Sequence, residues 1–328
     1  MTTEAVSLAE AKALVARILA AHDVAPANAA HVAEALVSAE ADGRAGHGFS
    51  RVAAYAAQAR AGKVRGHVEP ALTVDGAVAR IDAGHGFAYP AIAAALGALP
   101  DLARGHGIAL AAIDRSHHCG VLGHAVERLA RQGLAALMFA NAPASIAPWG
   151  GSTPLFGTNP IAFGISLDGA DPVVIDLSVS RVARGNIMRA AQAGTPIPEG
   201  WALDADGRPT TDAEAALQGT MLPMGDAKGV ALALMVEVLS AGLTGANYSW
   251  QASSFFDAEG APPGVGQVII AIDPRTSGGS AAHLAALAQA YEADEGARLP
   301  GSKRFESRAR AERDGLVVPE AIRALDGA

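Results

Sequence analysis

Two stretches near the start of the chain carry apolar residues at helical spacing. Ser7 and Glu10 form a capping box, and apolar residues then recur three and four positions apart. Pro26 opens a second periodic stretch, because proline suits the first turn of a helix. The pattern predicts two helices, the second of which ends at the glycine-rich residues 42–48.

Short apolar runs further along the chain predict strands. Residues 108–113 and 134–139 are two such runs, and an amphipathic segment that ends at Arg131 lies between them. This order is a βαβ pattern, which predicts two parallel strands. Residues 173–175 and 268–272 are further strand candidates. The chain is therefore predicted to have an α/β fold.

The remaining patterns concern the second half of the chain. Residues 194–212 are rich in Pro, Gly and Asp and predict a surface loop or arm. Residues 230–243 form the longest apolar stretch and predict a buried helix. Further helices are expected over residues 280–294 and in the charged tail from Ser302 onward.

Composition excludes several classes of partner. The chain has 328 residues and a net charge of -8, with no cluster of Lys and Arg, so we expect no nucleic-acid partner. The longest apolar stretch is too short to span a bilayer and contains Glu237, so we expect no membrane partner. A single cysteine, Cys119, excludes an intrachain disulfide, and the first residues lack the pattern of a secretory signal. The expected location is the cytoplasm.

The glycine pattern excludes one kind of nucleotide site. The chain contains 37 glycines, yet no G-x-G-x-x-G follows a predicted strand, so a Rossmann site is not expected. A dinucleotide would have to be held by other loops and by helix N-termini.

The first candidate for chemistry is the stretch over residues 42–51, which places His47 between glycines and between Arg44 and Arg51. Histidine can deliver a proton near neutral pH, and arginine can bind a carboxylate through two hydrogen bonds. Together they suit reduction of a 2-oxo acid. The alternative is a glycine-rich turn with a solvated histidine.

The second candidate is the stretch over residues 115–120, where a predicted strand gives way to a helix. Its histidines, with Cys119 and His124, could indicate zinc, but one cysteine and adjacent histidines fit zinc geometry poorly. We therefore expect no metal. The alternative is a polar loop with one packed histidine.

Two weaker candidates follow. Residues 148–151 and 155–160 form loops of small residues that would allow a planar ligand to approach the backbone. Lys228 stands at a predicted helix start, where a cation is disfavoured unless an anion binds nearby. A plain surface lysine is the alternative.

These motifs resemble the malate/L-lactate dehydrogenase family, which includes sulfolactate dehydrogenases and cyclic ketimine reductases. The most specific marks are His47-Gly48 with Arg51, Ser116-His117-His118, residues 155–163 (LFGTNPIAF) and residues 228–245 (KGVALALMVEVLSAGLTG). The resemblance implies a non-Rossmann, L-sulfolactate dehydrogenase-like fold with N-terminal helices and a mixed sheet in the cofactor domain. It also implies a homodimer that uses NADP or NAD, with NADPH slightly favoured.

The same resemblance implies a domain division and roles for individual residues. Residues 1–75 and 255–328 would form the substrate-side domain, and residues 76–254 the cofactor domain. By position His47 would be the proton donor, Arg51 and Thr158 would bind substrate, and His118 would be either an acid/base or a cofactor ligand. The other residues expected beside the cofactor are His117, Cys119, Gly120, Asp176, Leu177, Ser178, Lys228 and Arg304.

Three departures separate the chain from the ketimine branch. Gly46, Asn186 and Ala227 replace a serine, an aspartate and a histidine of that branch, so its proton relay is not intact. Arg184, followed by Gly185, stands where that branch has a substrate histidine, and a cation there favours a second acidic group on the substrate.

Three hypotheses follow from these features. The first is a dehydrogenase of a small 2-hydroxy acid such as lactate, malate or sulfolactate. The second is a reductase of cyclic 2-imino acids, because residues 196–212 are close to that branch. The third is a non-catalytic nicotinamide-binding protein that has lost part of the site.

Overall fold

The computed structural model describes residues 5–278 and 281–327. Its helices are α1 (Leu8–Ala21), α2 (Pro26–Ala41), α3 (Val52–Arg60), α4 (Ala88–His106), α5 (Gly123–Ala130), α6 (Arg184–Gln192), α7 (Ala213–Gln218), α8 (Ala227–Glu237), α9 (Ala281–Glu292), α10 (Ser302–Asp314) and α11 (Glu320–Arg323). Its strands are β1 (Ala71–Asp75), β2 (Val78–Asp82), β3 (Ile108–Ser116), β4 (Ala135–Ala140), β5 (Ile161–Leu167), β6 (Ala170–Leu177), β7 (Ala202–Leu203), β8 (Pro209–Thr210), β9 (Thr220–Met221) and β10 (Val265–Ile272).

A seven-stranded mixed sheet in the order β1-β2-β3-β10-β4-β5-β6 forms the centre of the molecule. Only the β2–β3 pair is parallel, and the other pairs in this sheet are antiparallel. The predicted strands β3 and β4 do run in the same direction, as the βαβ pattern requires. They are not neighbours, however, because β10 lies between them and pairs with both.

Side chains alternate across the sheet, so each of its faces has its own core. On β4, Ala136 and Met138 pack towards α4 and α5, whereas Leu137 and Phe139 pack towards α8. The same alternation holds on β10, where Ile269 joins the first core and Val268 the second. The sheet is therefore covered by helices on both faces.

The N-terminal helices form a separate core with the end of the chain. The predicted capping box is confirmed: Glu10 N–H donates to Ser7 Oγ (3.2 Å), and Ser7 N–H donates to Glu10 Oε2 (2.9 Å). Helices α1 to α3 bury their apolar faces together with Val318 and Ile322. The division into residues 1–75 with 255–328 and residues 76–254 stays a prediction, and β10 from the second of these segments lies in the middle of the sheet.

The prediction of a loop over residues 194–212 is partly wrong. Strands β7 and β8 lie within it and join β9 in a three-stranded sheet beside α6 and α7. Each strand has two residues, which is too short to show an alternating pattern.

The prediction of a buried helix over residues 230–243 needs the same kind of correction. Helix α8 covers this stretch and continues into a π-helical turn, Val238–Gly242. Ala233 and Val236 are buried, but Leu234, Met235, Val238 and Leu243 are 40–66% exposed. One side of the helix packs on the sheet, and the other presents an apolar face.

The C-terminal predictions are largely confirmed. Ser280, the predicted first residue of the helix over residues 280–294, lies outside the described residues, and α9 follows it. Helix α10 begins at Ser302 as predicted, although the short α11 comes after it. Across the described residues, no helix is long and apolar enough to cross a membrane.

Candidate active site

One short stretch supplies three side chains of the site. His47 ends a 3-10 turn, Arg51 ends the next one, and Tyr55 lies in the first turn of α3. Arg51 and Tyr55 are four positions apart at the start of α3 and therefore share a side of the helix, whereas Gly48, with φ -101° and ψ -130°, separates the turn of His47 from that of Arg51. Gly48 is required between them, because a Cβ there would collide with the Glu40 carboxylate that accepts a hydrogen bond from Phe49 N–H (2.9 Å).

His118 reaches this stretch from the loop that follows β3. Arg115, at the end of β3, has a φ of +47°, a rare conformation for a residue with a side chain, and its guanidinium is held by Asp82. The loop is also held by β10, since Gln267 Nε2 donates to the carbonyl oxygen of His117 (3.2 Å). The chain therefore turns sharply just before the paired histidines.

The rings of His47 and His118 are stacked, with centroids 5.3 Å apart and an interplanar angle of 16°. Burial, together with the charges of Arg51 and Arg44, lowers the pKa of His47 to about 4. Burial and the charge of Arg51 also lower the pKa of His118 well below its ordinary value. Both rings are therefore neutral at pH 7, and two potential proton carriers lie face to face.

Tyr55 determines which nitrogen of His118 carries the proton. Its Oη lies 2.5 Å from His118 Nδ1 and 3.1 Å from Tyr89 Oη. Burial raises the pKa of Tyr55 to about 12, so the phenol keeps its proton. Within the described residues Tyr89 has no other hydrogen-bond partner, so all three groups are satisfied only if Tyr89 donates to Tyr55 and Tyr55 donates to His118 Nδ1. His118 then carries its proton on Nε2.

The guanidinium of Arg51 has two contacts and one nitrogen that is free to bind a ligand. Its Nε donates to the carbonyl oxygen of Gly46 (2.8 Å), and the ring of Phe256 lies 4.4 Å from its guanidinium carbon. Its Nη1 is buried and has no hydrogen-bond partner among the residues that the structure describes. A buried guanidinium nitrogen without a partner is a ready position for a substrate carboxylate.

His117 forms a wall of the site rather than an open ligand. Its ring is 1% exposed, lies among the rings of Tyr55, Phe87 and Phe255, and has no hydrogen-bond partner at either nitrogen. Burial lowers its pKa to about 3. The role predicted for it beside a cofactor would therefore fall to its backbone.

Cys119 and Gly120 complete this loop. Burial raises the pKa of Cys119 to about 12, so it is an unreactive thiol. Gly120 has a φ of +66°, and a Cβ there would lie 2.7 Å from Tyr89 Oη. Glycine is thus required next to the tyrosine pair.

Asp176 and Arg304, both predicted beside a cofactor, are in contact with each other. Asp176 Oδ2 accepts hydrogen bonds from Gly123 N–H (2.9 Å) and from Arg304 Nη2 (3.1 Å). The side chain of Arg304 is 2% exposed and also lies 3.5 Å from Asp42. Its guanidinium is therefore engaged by carboxylates, and its Nη1 remains buried and without a partner.

Asp42 connects this pair to a network that sequence reasoning missed. Its carboxylate accepts hydrogen bonds from Arg308 (2.7 and 2.9 Å) and from His124 (2.9 Å). Arg308 also donates to both oxygens of Glu127 (2.7 and 2.9 Å). The partners are up to 266 residues apart, and no motif in the sequence connects them.

Thr158 and Ser178 lie on adjoining loops, and Lys228 lies in the first turn of the helix that follows a third loop. Val179 N–H donates to the carbonyl oxygen of Thr158 (2.9 Å), and Met224 N–H donates to that of Val179 (2.8 Å). Leu177 is exposed, and Lys228 is exposed in the first turn of α8. The predicted substrate and cofactor residues of these loops are thus brought together at one end of β6.

Arg184 and Gly185 occupy the first turn of α6. Arg184 Nη2 donates to the carbonyl oxygen of Leu217 (3.4 Å), and burial lowers the pKa of its guanidinium. This contact ties the side chain to α7. No heavy atom lies within 4 Å of the position of a Cβ on Gly185.

A cavity of about 300 Å³ lies behind the histidine loop. Helices α2, α4 and α5 border it, and Tyr89, Cys119 and His124 line one side, whereas His47 and Arg51 do not reach it. Over residues 5–278 and 281–327, no group of three or more His, Cys, Asp and Glu side chains is arranged to hold a metal ion.

Comparison with known proteins places these features in context. A family model described as malate/L-lactate dehydrogenase matches residues 6–325. The chain is 53% identical to (2R)-3-sulfolactate dehydrogenase (NADP(+)) of Chromohalobacter salexigens over 97% of this chain and 95% of that protein.

Two solved structures are also similar. One is delta1-piperideine-2-carboxylate reductase from Pseudomonas syringae, with a TM-score of 0.93, 40% identity and coverage of 99% of both chains. The other is sulfolactate dehydrogenase from Methanocaldococcus jannaschii, with a TM-score of 0.87, 27% identity and coverage of 98% of this chain and 95% of that one. The predicted non-Rossmann, sulfolactate dehydrogenase-like fold is confirmed.

Proposed function

Because the chain belongs to the malate/L-lactate dehydrogenase family, we propose that it interconverts (2R)-3-sulfolactate and 3-sulfopyruvate with NADP(H). The observation that carries this proposal is the 53% identity, over nearly the whole of both chains, to an enzyme named for that reaction. The juxtaposition of a buried histidine and an arginine with a free Nη1 agrees with it.

The residues divide the work as follows. Arg51 binds the C1 carboxylate through its free Nη1, and His47 takes the proton of the C2 hydroxyl when the alcohol is oxidised. The low pKa of His47 keeps it neutral and ready to act as the base. His118, fixed by Tyr55, offers Nε2–H as a hydrogen-bond donor beside it.

The residues around Asp176 fit a dinucleotide cofactor. Arg304 Nη1 is a buried donor without a hydrogen-bond partner in the described residues, and the Arg304 guanidinium itself fills the space beside Gly123 that a Cβ would need. Asp176, Ser178 and the backbone of the 117–120 loop would hold the nicotinamide half, and the exposed Lys228 would meet a phosphate. When bound, the cofactor supplies or accepts the hydride at C2. NADP is preferred to NAD on the strength of the named relative.

The sulfonate of the substrate needs a second cation. Arg44 is exposed, has no side-chain partner in the described part of the chain, and precedes the 3-10 turn that ends at His47, whose pKa its charge lowers. Arg184, favoured by the sequence, is engaged by Leu217. Comparing Arg44→Gln with Arg184→Gln decides between them: the residue that binds the sulfonate will raise KM for sulfopyruvate but not for pyruvate.

Reduction of cyclic 2-imino acids is the second candidate, favoured by the likeness to the piperideine-2-carboxylate reductase structure. The relay residues of that branch are absent at Gly46 and Asn186. No heavy atom lies within 4 Å of a Cβ on Gly46, so its lack of a hydroxyl is not imposed by packing. A Gly46→Ser, Asn186→Asp variant should therefore fold, and gain of imine reduction only in that variant would support the relay argument.

The hypothesis of a non-catalytic binding protein has little support, because His47 and Arg51 keep the geometry of an acid and a carboxylate clamp. The deciding experiment is reduction of NADP+ and of NAD+, followed by absorbance, with (2R)-3-sulfolactate, malate and lactate offered separately. The proposal expects the highest kcat/KM with sulfolactate and NADP+. Cofactor binding without turnover of any hydroxy or imino acid would reinstate the binding protein.

The working form is a homodimer that joins through the exposed apolar side of α8. Four large apolar side chains are exposed on α8 and the turn after it: Leu234, Met235, Val238 and Leu243. A contiguous exposed apolar patch of this kind marks an interaction surface. Light scattering should give twice the chain mass of 33.0 kDa, and Leu234→Glu should halve it. Leu287→Glu, on the equally exposed face of α9, is the matched control, and a monomeric wild type would refute the dimer.

We propose that the reaction takes place in the cytoplasm. A single buried thiol, Cys119, suits a reducing compartment, and the proposed cofactor is the reduced nucleotide of biosynthesis and reduction there. Fractionation of cells with an antibody against the chain tests the placement.

A further inference from the structure

The segment formed by Phe255, Phe256 and Asp257 runs along the histidine site and contacts two parts of it. The ring of Phe255 packs on the ring of His118, with centroids 5.1 Å apart. The ring of Phe256 lies under the guanidinium of Arg51, at 4.4 Å from its carbon. Consecutive residues of one segment thus touch a candidate proton carrier and the candidate carboxylate clamp.

Two buried side chains, one on α3 and one in the turn after it, hold this segment in place. Gln58 Nε2 donates to the carbonyl oxygens of Phe255 (3.0 Å) and Asp257 (2.9 Å), and Gln58 is completely buried. Lys63 Nζ donates to the carbonyl oxygen of Asp257 (3.1 Å) and to its carboxylate (2.9 Å). Every one of these bonds runs from α3, or from the turn after it, to the segment.

The burial of Lys63 is the informative feature. Its side chain is 1% exposed, whereas that of Asp257 is 51% exposed. An ammonium group is rarely buried, because removing it from water is costly unless an anion and further acceptors receive it. A surface ion pair would have served to tie the segment down, so the burial of Lys63 indicates a requirement for a fixed position rather than for attraction alone.

The need for a fixed position is explained by the few contacts that hold the Arg51 guanidinium. Within the described residues the guanidinium is held by one hydrogen bond, to Gly46, and by the ring of Phe256, and its Nη1 has no hydrogen-bond partner. An arginine side chain loses rotamer entropy when it is fixed. A guanidinium that is fixed before the substrate arrives binds a carboxylate more tightly than a mobile one.

We propose that Lys63 and Gln58 are positioning residues for substrate binding, which fix the 255–257 segment so that Phe256 holds the Arg51 guanidinium ready for the substrate carboxylate. The proposal rests on the proposed function only in giving Arg51 a carboxylate to bind. Every candidate substrate, oxo acid or cyclic imine, carries that carboxylate, so the test applies to whichever of them is turned over.

The test compares Lys63→Met with wild type in KM, kcat and NADPH affinity. The expected result is a KM raised about tenfold, the equivalent of about 1.4 kcal/mol, with kcat within about threefold and an unchanged Kd for NADPH. Lys63→Arg keeps a buried cation and should recover most of the KM. Lys12→Met is the matched control, because it breaks a Lys–Glu pair (2.7 Å) between α1 and α2, and it should leave KM unchanged.

Two further variants keep the test sharp if Lys63→Met folds poorly. Asp257→Asn changes an exposed side chain. It should raise KM only about two- to threefold, because Lys63 keeps its hydrogen bond to the carbonyl oxygen of residue 257. Phe256→Ala should raise KM as Lys63→Met does, and the two changes combined should add little, because both act through Arg51.

The outcomes separate this inference from the proposed function. The inference would be overturned if folded Lys63→Met had an unchanged KM, or if its effect on KM were fully additive with that of Phe256→Ala. It would also be overturned if Lys63→Met impaired KM, kcat and NADPH affinity equally. Binding of oxamate, a non-reacting carboxylate, to the NADPH-loaded protein gives the same comparison by calorimetry and needs no turnover. If sulfopyruvate is not a substrate but Lys63→Met still weakens oxamate binding, the proposed function fails and this inference stands.

Discussion

Replacing Arg308 by methionine would break the buried network that anchors the catalytic turn. Arg308 donates two hydrogen bonds to Asp42 and two to Glu127, whose side chains are 0% and 5% exposed. Without it, within the described residues Asp42 keeps His124 and, at 3.5 Å, Arg304, and Glu127 keeps Arg131. Removing one partner from a buried ion pair costs about 3–5 kcal/mol.

The expected change in melting temperature follows from chain length. Unfolding entropy is about 2.1 cal/mol/K per residue, or about 0.7 kcal/mol/K for 328 residues, so the loss corresponds to roughly 4–7 °C. Arg310→Met, an exposed arginine on the same helix, is the matched control and should shift the melting temperature by less than about 1 °C.

The pH dependence distinguishes the ion pair from simple packing. Burial by itself would raise the pKa of Asp42 and Glu127, but hydrogen bonds from His124 and Arg308 to the first, and from Arg308 to the second, lower it. A lowered carboxyl pKa stabilises the fold above the pKa of the unfolded chain, about 4, and that contribution is lost as the pH falls through the folded value. The gap between wild type and Arg308→Met should therefore be largest at pH 7 and shrink towards pH 3. A gap below about 1 °C, or one that is independent of pH, would refute the reasoning.

Three further predictions concern the reaction itself. His47→Ala should lower kcat by about 10²–10⁴-fold with little change in the Kd for NADPH, and parallel losses of both would contradict its role as the proton carrier. Arg51→Lys should raise KM by about 10- to 100-fold, because one charge-assisted hydrogen bond of about 1.5–3 kcal/mol is lost, and an unchanged KM would exclude the clamp. Because the pKa of His47 is about 4 and reduction needs the protonated ring, kcat/KM for NADPH-dependent reduction should rise about tenfold for each unit of pH from 8 down to 5. A plateau beginning near pH 6.5 would show that the free enzyme has an ordinary histidine there.

Parts of the fold with a local signal could be predicted from the sequence. The capping box and Pro26 marked the starts of α1 and α2, and the apolar runs marked β3 and β4. Over residues 52–107 the local signals are weaker. Helix α4 does carry Ile92, Leu96 and Leu99 at helical spacing, but most of its other buried residues are alanines, whose small side chains mark a pattern less clearly. Every residue of β1 is exposed, so that strand shows no alternation.

The site was predictable where its residues are neighbours in sequence. His47 and Arg51 were found together, and Tyr55 could have been found by extending the same four-residue spacing by one step. The contact of Phe256 with Arg51 and that of Arg308 with Asp42 join distant parts of the chain, and no local rule predicts them. The position of β10 between β3 and β4 is likewise not predicted by any short sequence pattern.

The most direct test of the proposed reaction is consumption of NADPH with 3-sulfopyruvate, oxaloacetate, pyruvate and piperideine-2-carboxylate, each offered separately to wild type and to His47→Ala. The proposal predicts the highest kcat/KM with sulfopyruvate, weaker turnover of the other oxo acids, and loss of all of it in His47→Ala. Preference for the imine, or equal turnover by wild type and His47→Ala, would contradict it.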